Sequence, residues 1–139
     1  MSGYLLDTNV VSERTKEDPA QTVMDFLNNH DELWLSAIVV KELELGVQLM
    51  PQGRRRERLR EWLNLLLDDY EGRISPIGRR EAERAAVLQA QVRRSGGELE
   101  LGDALIAGTA IVNDMIIVTR NVRDFDGLGI EIVNPWETT

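Results

Sequence analysis

Short apolar runs alternate with longer stretches of helical periodicity along the whole chain, and this alternation restricts the fold more than any other feature. Tyr4-Leu5-Leu6, Leu33-Trp34-Leu35, Met115 to Thr119 and Gly129 to Val133 read as buried strands. Ile74 and Ile77 flank Pro76 in a shorter extended piece. Between them, helices are predicted to start at Asp18-Pro19, after Ser36, at Arg54, at Arg79 and at Gly102-Asp103. Ile38, Val39 and Val40 alone could equally be strand. Strands separated by helices favour helical layers packed on a parallel sheet. The helix after Asp103 is apolar nearly all round (Ala104, Leu105, Ala107, Gly108, Ile111, Val112) and is expected at the centre. With 139 residues, 42% of them apolar, the chain suits one domain spanning residues 1–139.

Composition removes several chemistries. There is no cysteine, which excludes disulfides, thiolate zinc sites and cysteine nucleophiles. The only histidine, His30, reads as a loop residue at a helix end, so histidine-based acid–base pairs are not expected. Chemistry must come from carboxylates, hydroxyls, Arg or Lys. Net charge is −8, the wrong overall sign for a polyanionic partner. The basic residues are nonetheless 14 Arg against 2 Lys, and two clusters, Arg54 to Arg60 and Arg79 to Arg94, provide local positive patches. No run of 18 apolar residues occurs, so no membrane contact is expected. Met1 to Thr8 lacks a basic stretch followed by an apolar one, so a cytoplasmic chain is expected.

The acids are distributed suggestively. In open α/β sheets, ligands gather beyond the C-terminal ends of the strands. Asp7 holds that place after the first strand, and Thr119, Asn121 and Asp124 hold it after the strand ending near Val118. Glu42 sits among Val39, Val40 and Leu43, and Asp103 opens the central helix. A buried carboxylate costs several kcal/mol unless it is paired or binds a cation, and several together repel. Oxygen-only sites of this kind suit Mg²⁺ or Mn²⁺. Each acid alone has a plainer reading: Asp103 as a helix cap, Asp7 as a turn former, Glu42 paired with Lys41 or an Arg, Asp124 as a surface acid.

Taken in order, these segments resemble the PIN-domain ribonucleases, especially the VapC-like toxins of bacterial toxin–antitoxin pairs. Leu6-Asp7-Thr8-Asn9-Val10 is similar to that family's first motif. Ser36, Glu42, Leu43 and Gly46 are similar to its second, Asp103-Ala104-Leu105-Ile106-Ala107 to its third, and Thr119-Arg120-Asn121 with Asp124-Phe125 to its fourth. Asn134-Pro135-Trp136 resembles the ending of one branch. The resemblance implies a three-layer α/β/α fold with a central, mainly parallel sheet, and a site in which Asp7, Glu42 and Asp103 bind Mg²⁺ or Mn²⁺. Many members have an acid where this chain has Asn121, so either Asn121 or Asp124 supplies the fourth position. Thr8, Asn9 and Thr119 would hold waters or orient carboxylates. The resemblance further implies cleavage of RNA, transfer or ribosomal, a cognate antitoxin partner, and a homodimer.

The expected reaction is metal-activated hydrolysis of a phosphodiester, and the resemblance implies a 5′-phosphate and a 3′-hydroxyl as its products. Arg79, Arg80, Arg120 and Arg123 are candidate phosphate contacts, and an antitoxin is expected to cover exposed parts of Leu63, Leu66 or Leu67. A structure-specific DNA nuclease and an inert acidic-cleft module for a basic peptide are the alternatives. An aspartyl-phosphate phosphatase is disfavoured because Asn9 replaces the second Asp that such enzymes often place two residues on.

Overall fold

A computed structural model describes residues 3–137. Met1 and Ser2, part of the leader reading above, lie outside the described residues, as do Thr138 and Thr139. The elements in order are β1 (Tyr4–Leu6), α1 (Thr8–Ser12), α2 (Gln21–Asn29), β2 (Leu33–Ser36), α3 (Ala37–Leu49), α4 (Arg54–Asp69), β3 (Ile74–Ser75), α5 (Arg79–Arg94), α6 (Leu101–Val112), β4 (Ile116–Val118) and β5 (Ile132–Val133). Two 3₁₀ turns, Glu13–Thr15 and Val122–Phe125, follow α1 and β4. Among the described residues no helix is long and apolar enough to cross a membrane.

The five strands form one sheet in the order β3-β2-β1-β4-β5, and every pairing is parallel. Helices cover it in the three-layer α/β/α arrangement. Parallel sheets are buried on both faces, which explains why the strands are unbroken apolar runs rather than alternating ones. Leu5, Leu35 and Ile117 have no exposed surface and Leu6 only 1%. The chain builds outward from β1 through β2 to β3, then returns to place β4 on the other side of β1. The order therefore reverses between β1 and β4, and a crevice opens past their C-terminal ends.

Where local signals were strong, the elements follow them. Ser36 Oγ accepts from Val39 N at 3.4 Å and caps α3, so Ile38 to Val40 are helical and the strand alternative falls. His30 does sit at the end of α2, its ring Nδ1 2.8 Å from the Phe26 carbonyl oxygen. Other boundaries shift. α2 begins at Gln21 rather than at Asp18-Pro19, because the buried Glu13 carboxylate reaches forward and takes the Ala20 N–H at 2.8 Å. β3 stops before Pro76, which has no N–H for a ladder, and Ile77 is outside it. The last strand has only Ile132 and Val133.

α6 is central, as its composition predicts: Ala104, Ile106, Ala107, Gly108, Thr109 and Ala110 are all buried. It lies unusually close to α5. A Cβ added at Gly108 would stand 2.7 Å from the Glu81 carbonyl oxygen and 2.9 Å from the Ala85 nitrogen. Alanine in a helix interior normally gains about 1 kcal/mol over glycine. Here the contact is with backbone, which cannot rotate away, and overpacking costs about 1–3 kcal/mol. Gly108→Ala is therefore expected to lower stability despite its better helix propensity, as read by urea unfolding. Equal or greater stability would show that the two helices can part without loss.

Candidate active site

The crevice at the strand reversal is built from Asp7 outward. Asp7 directly follows β1, and its backbone N–H donates to the Val118 carbonyl at 2.9 Å, continuing the β1–β4 ladder one residue past the strand. That register sets its side chain beside Thr119, the residue after β4. Thr119 is fully buried, and its Oγ1 donates to Asp7 Oδ2 at 2.7 Å. The same oxygen accepts from Asn9 Nδ2 at 3.3 Å and from the Asn121 backbone N–H at 3.0 Å. Asp7 Oδ2 also accepts from Asn9 Nδ2 at 3.2 Å, while Oδ1 accepts from Thr8 N at 2.8 Å and caps α1. The Asp7 carboxylate is buried and bonded on both oxygens, so its direction is set.

Thr8 joins this network to Glu42. Its hydroxyl donates to Glu42 Oε1 at 3.3 Å, and that oxygen also lies 3.9 Å from where a Cβ on Gly102 would stand. Gly102, in the first turn of α6, thus lies within van der Waals reach of the carboxylate. Glu42 itself is exposed. The expectation that its apolar neighbours bury it is corrected: α3 turns Val39, Leu43 and Val47 inward and leaves Glu42 on the open side, facing the crevice.

Asp103 is half-buried in the first turn of α6. It is not the helix cap, because α6 begins at Leu101 and Glu100 occupies the cap position. Its carboxyl is pushed up to about 6, first by burial and then by the charges of Asp124, Asp7, Glu100 and Glu42. The largest charge effects on it all come from carboxylates. Asp124 lies on the 3₁₀ turn after β4, anchored by the buried Phe125. Asn121 precedes that turn, with its backbone tied to Thr119 and its side chain exposed. A cavity of about 320 Å³ runs from Asp103 and Asp124 past Glu98, Glu100, Arg123 and Asp126.

The charges of Asp7, Glu42 and Asp124 thus reach Asp103 from three other segments, and of these four acids Asp103 and Asp124 line the cavity. Sequence reasoning missed Glu98, Glu100 and Asp126 on its rim. The sign of the first two was the alternation Glu98-Leu99-Glu100, with Leu99 buried between acids that face out. Of the four arginines expected near phosphate, Arg123 lines the cavity and Arg120 follows Thr119 directly, whereas Arg79 pairs with Glu83 at 3.5 Å on an exposed helix face.

The donors are all oxygens, which suits a hard divalent cation. Among the described residues no three acids or imidazoles are arranged to hold an ion by themselves. Mg²⁺ tolerates this, because it keeps several waters and commonly takes only one or two carboxylates. The repulsion around Asp103 is the feature that fits such an ion, since a cation there would offset it.

This repulsion has a readout in stability. The Asp103 carboxyl titrates near 6 when folded, against an ordinary 3.8. Between those values the folded chain holds more protons than the unfolded one. Asp103 therefore contributes stability at low pH that is lost as pH rises through about 4 to 6. Discounted for its partial exposure, the loss is about 1 kcal/mol. In thermal melts with chelator, the melting temperature is expected to carry this downward component between pH 4 and pH 6.5, and Mg²⁺ should raise it more at pH 7.5 than at pH 5. An equal Mg²⁺ effect at both values would detach the ion from Asp103.

The PIN-domain family profile matches residues 4–130. The chain is 38% identical over 136 residues to the plasmid stability protein StbB of Pseudomonas syringae pv. tomato, covering 96% of this chain and 98% of that protein. It is 36% identical over 136 residues to VapC ribonuclease Y4jK of Sinorhizobium fredii, covering 96% and 97%. Among solved structures, a chain of FitAcB from Neisseria gonorrhoeae superposes with a TM-score of 0.92 at 33% identity, covering 97% of this chain and 99% of that one.

Proposed function

Because this chain belongs to the PIN-domain family and is closely related to the VapC- and FitB-type toxins of toxin–antitoxin systems, we propose that it is a divalent-metal-dependent endoribonuclease and the toxin of such a pair. The observation that supports this best is the gathering of carboxylates round Asp103: after burial, the largest effects on it are the charges of Asp124, Asp7, Glu100 and Glu42. Nothing in folding rewards that arrangement, whereas a phosphodiesterase using Mg²⁺ or Mn²⁺ needs carboxylates to hold the ion.

In this reading Asp7 and Asp103 are the principal ligands. Glu42 and Asp124 act from the two sides, directly or through water, and Asn121 offers a neutral oxygen on the same turn as Asp124. The bound ion supplies charge neutralisation at the scissile phosphate and a lowered pKa for the attacking water. The chain's own residues do the rest. Asp7 is aimed by Thr119, Asn9 and the Thr8 N–H, so its geometry costs no reorganisation when substrate arrives. Thr8 keeps Glu42 facing the crevice from the open side of α3. Asp103, half-buried at the foot of α6, has its carboxyl pushed up to about 6 without the ion, and a bound cation would favour its ionised form. Arg123, at the cavity wall, is placed to meet the RNA backbone.

The partners in this reading are an RNA substrate, transfer or ribosomal, a cognate antitoxin and a second copy of the chain, in the cytoplasm, with residues 1–139 as one nuclease domain. An antitoxin would cover exposed apolar side chains. Leu63 and Leu66 do not qualify, being 0% and 6% exposed; Leu65 and Leu49, 65% and 74% exposed, do. The reading is tested by mapping 5′ ends of cellular RNA after brief expression of the wild type and of Asp7→Asn. A discrete cut made only by the wild type supports it. Identical end maps, together with cleavage of duplex DNA or with no cleavage at all, would return the protein to the DNA-nuclease or inert-module alternatives.

A further inference from the structure

Arg120 stands at an awkward place. It follows Thr119, and its backbone N–H donates to Asn9 Oδ1 at 3.2 Å, while the amide nitrogen of the same Asn9 side chain binds Asp7. A flexible guanidinium rooted this near four carboxylates would be drawn among them and would occupy the place of a metal ion. It does not go there; its charge acts instead on the buried Glu13 carboxylate. Its charge is absent from the three ion pairs found among the described residues, and its guanidinium carbon lies over the Trp136 ring, 5.0 Å from the centroid. Trp136 is well placed to hold it. Its backbone N–H donates to Asn134 Oδ1 at 2.9 Å, its carbonyl accepts from Thr22 Oγ1 at 3.5 Å, and its ring packs on the core behind the buried Pro135. Stacking on an aromatic face leaves the edge of a guanidinium free to form two parallel hydrogen bonds to a phosphate.

We infer that Trp136 is a positioning residue that holds the Arg120 guanidinium outside the acidic crevice, where it binds a backbone phosphate of the RNA flanking the cut. The inference rests on the ribonuclease reading above and adds to it which arginine meets the strand and what keeps that arginine out of the metal site. It also gives Asn134-Pro135-Trp136 a task beyond filling the end of the core.

The probe is a pool of single-stranded RNA 12-mers, randomised at every position and carrying a fluorophore and a quencher at opposite ends, with Mg²⁺ present. Arg120→Gln is expected to raise the apparent KM about tenfold with little change in kcat. It should also flatten the dependence of log kcat/KM on log salt by about 0.7, the share of one phosphate contact on a single strand. Trp136→Leu, which keeps the apolar bulk but removes the ring face, should reproduce both effects. In an Arg120→Gln background it should add nothing, and Trp136→Phe should behave like wild type. A purely structural tryptophan would not share a salt slope with Arg120. Multiplying effects in the double variant, or an unchanged slope in Arg120→Gln, would overturn the inference alone. A folded wild type that leaves the pool intact and gives the same cellular 5′-end map as Asp7→Asn would overturn the ribonuclease reading and this inference with it.

Discussion

Asp103→Asn should abolish RNA cleavage and, in the absence of metal, make the folded chain more stable above pH 6. The two effects share one cause. Ionised Asp103 is destabilising in the apo protein because burial and four neighbouring carboxylates all oppose its charge. Asparagine has nearly the same shape and no charge, so the repulsion disappears. The same change removes one of the two proposed principal ligands. Losing several kcal/mol of charge stabilisation at the phosphate corresponds to about a 10³-fold fall in rate. A substitution that raises the melting temperature while silencing the enzyme marks a site where stability has been given up for function. Asp7→Asn should silence it equally but without the stability gain, because both Asp7 oxygens serve in hydrogen bonds that an amide cannot all replace. Cleavage rates and thermal melts of the two variants, taken side by side in chelator and in Mg²⁺, check this. Full activity in either would remove that residue from the ligand set.

Thr119→Val should cost about 10- to 100-fold in activity although Thr119 touches neither metal nor RNA in the proposed reaction. Its hydroxyl donates to Asp7 and accepts from Asn9 and from the Asn121 N–H, so one oxygen aligns the first carboxylate with the turn that carries Asp124. Valine fills the same volume at this fully buried position but removes the Asp7 donor and the Asn121 N–H acceptor, leaving Asp7 Oδ2 held only by Asn9 Nδ2. Serine keeps the oxygen and should restore most of the activity. The readout that separates alignment from simple destabilisation is the Mg²⁺ concentration for half-maximal rate. It should rise in Thr119→Val and return in Thr119→Ser. A loss of rate with unchanged Mg²⁺ dependence would mean that the hydroxyl acts elsewhere.

Much of this was readable before any coordinates. β1, β2 and β4 are apolar because a parallel sheet buries both faces, and the helices from α3 to α6 announce themselves by period and by flanking breakers. α1 and the Val122–Phe125 turn were invisible, since five and four residues are too short to carry a period. Glu42 was misplaced by counting neighbours along the chain; on a helix, adjacent residues point about 100° apart, and Val39, Leu43 and Val47 define the buried face without it. Leu65 was overlooked beside Leu66 for the same reason. That the acids gather past the C-terminal strand ends could be anticipated from the sheet rule and the family pattern, but not from local spacing. It depends on β4 returning to the far side of β1, and strand order is a long-range property that no local spacing encodes.

The account stands on the acidic crevice sharing one divalent ion, and crystals grown with Mn²⁺ test that most directly through the metal's anomalous scattering. The expected map has a peak between the Asp7 and Asp103 carboxylates, completed by waters and by Glu42 or Asp124, which vanishes in Asp103→Asn. A crevice without a peak at saturating Mn²⁺, or with Arg120 folded into it instead, would contradict the account.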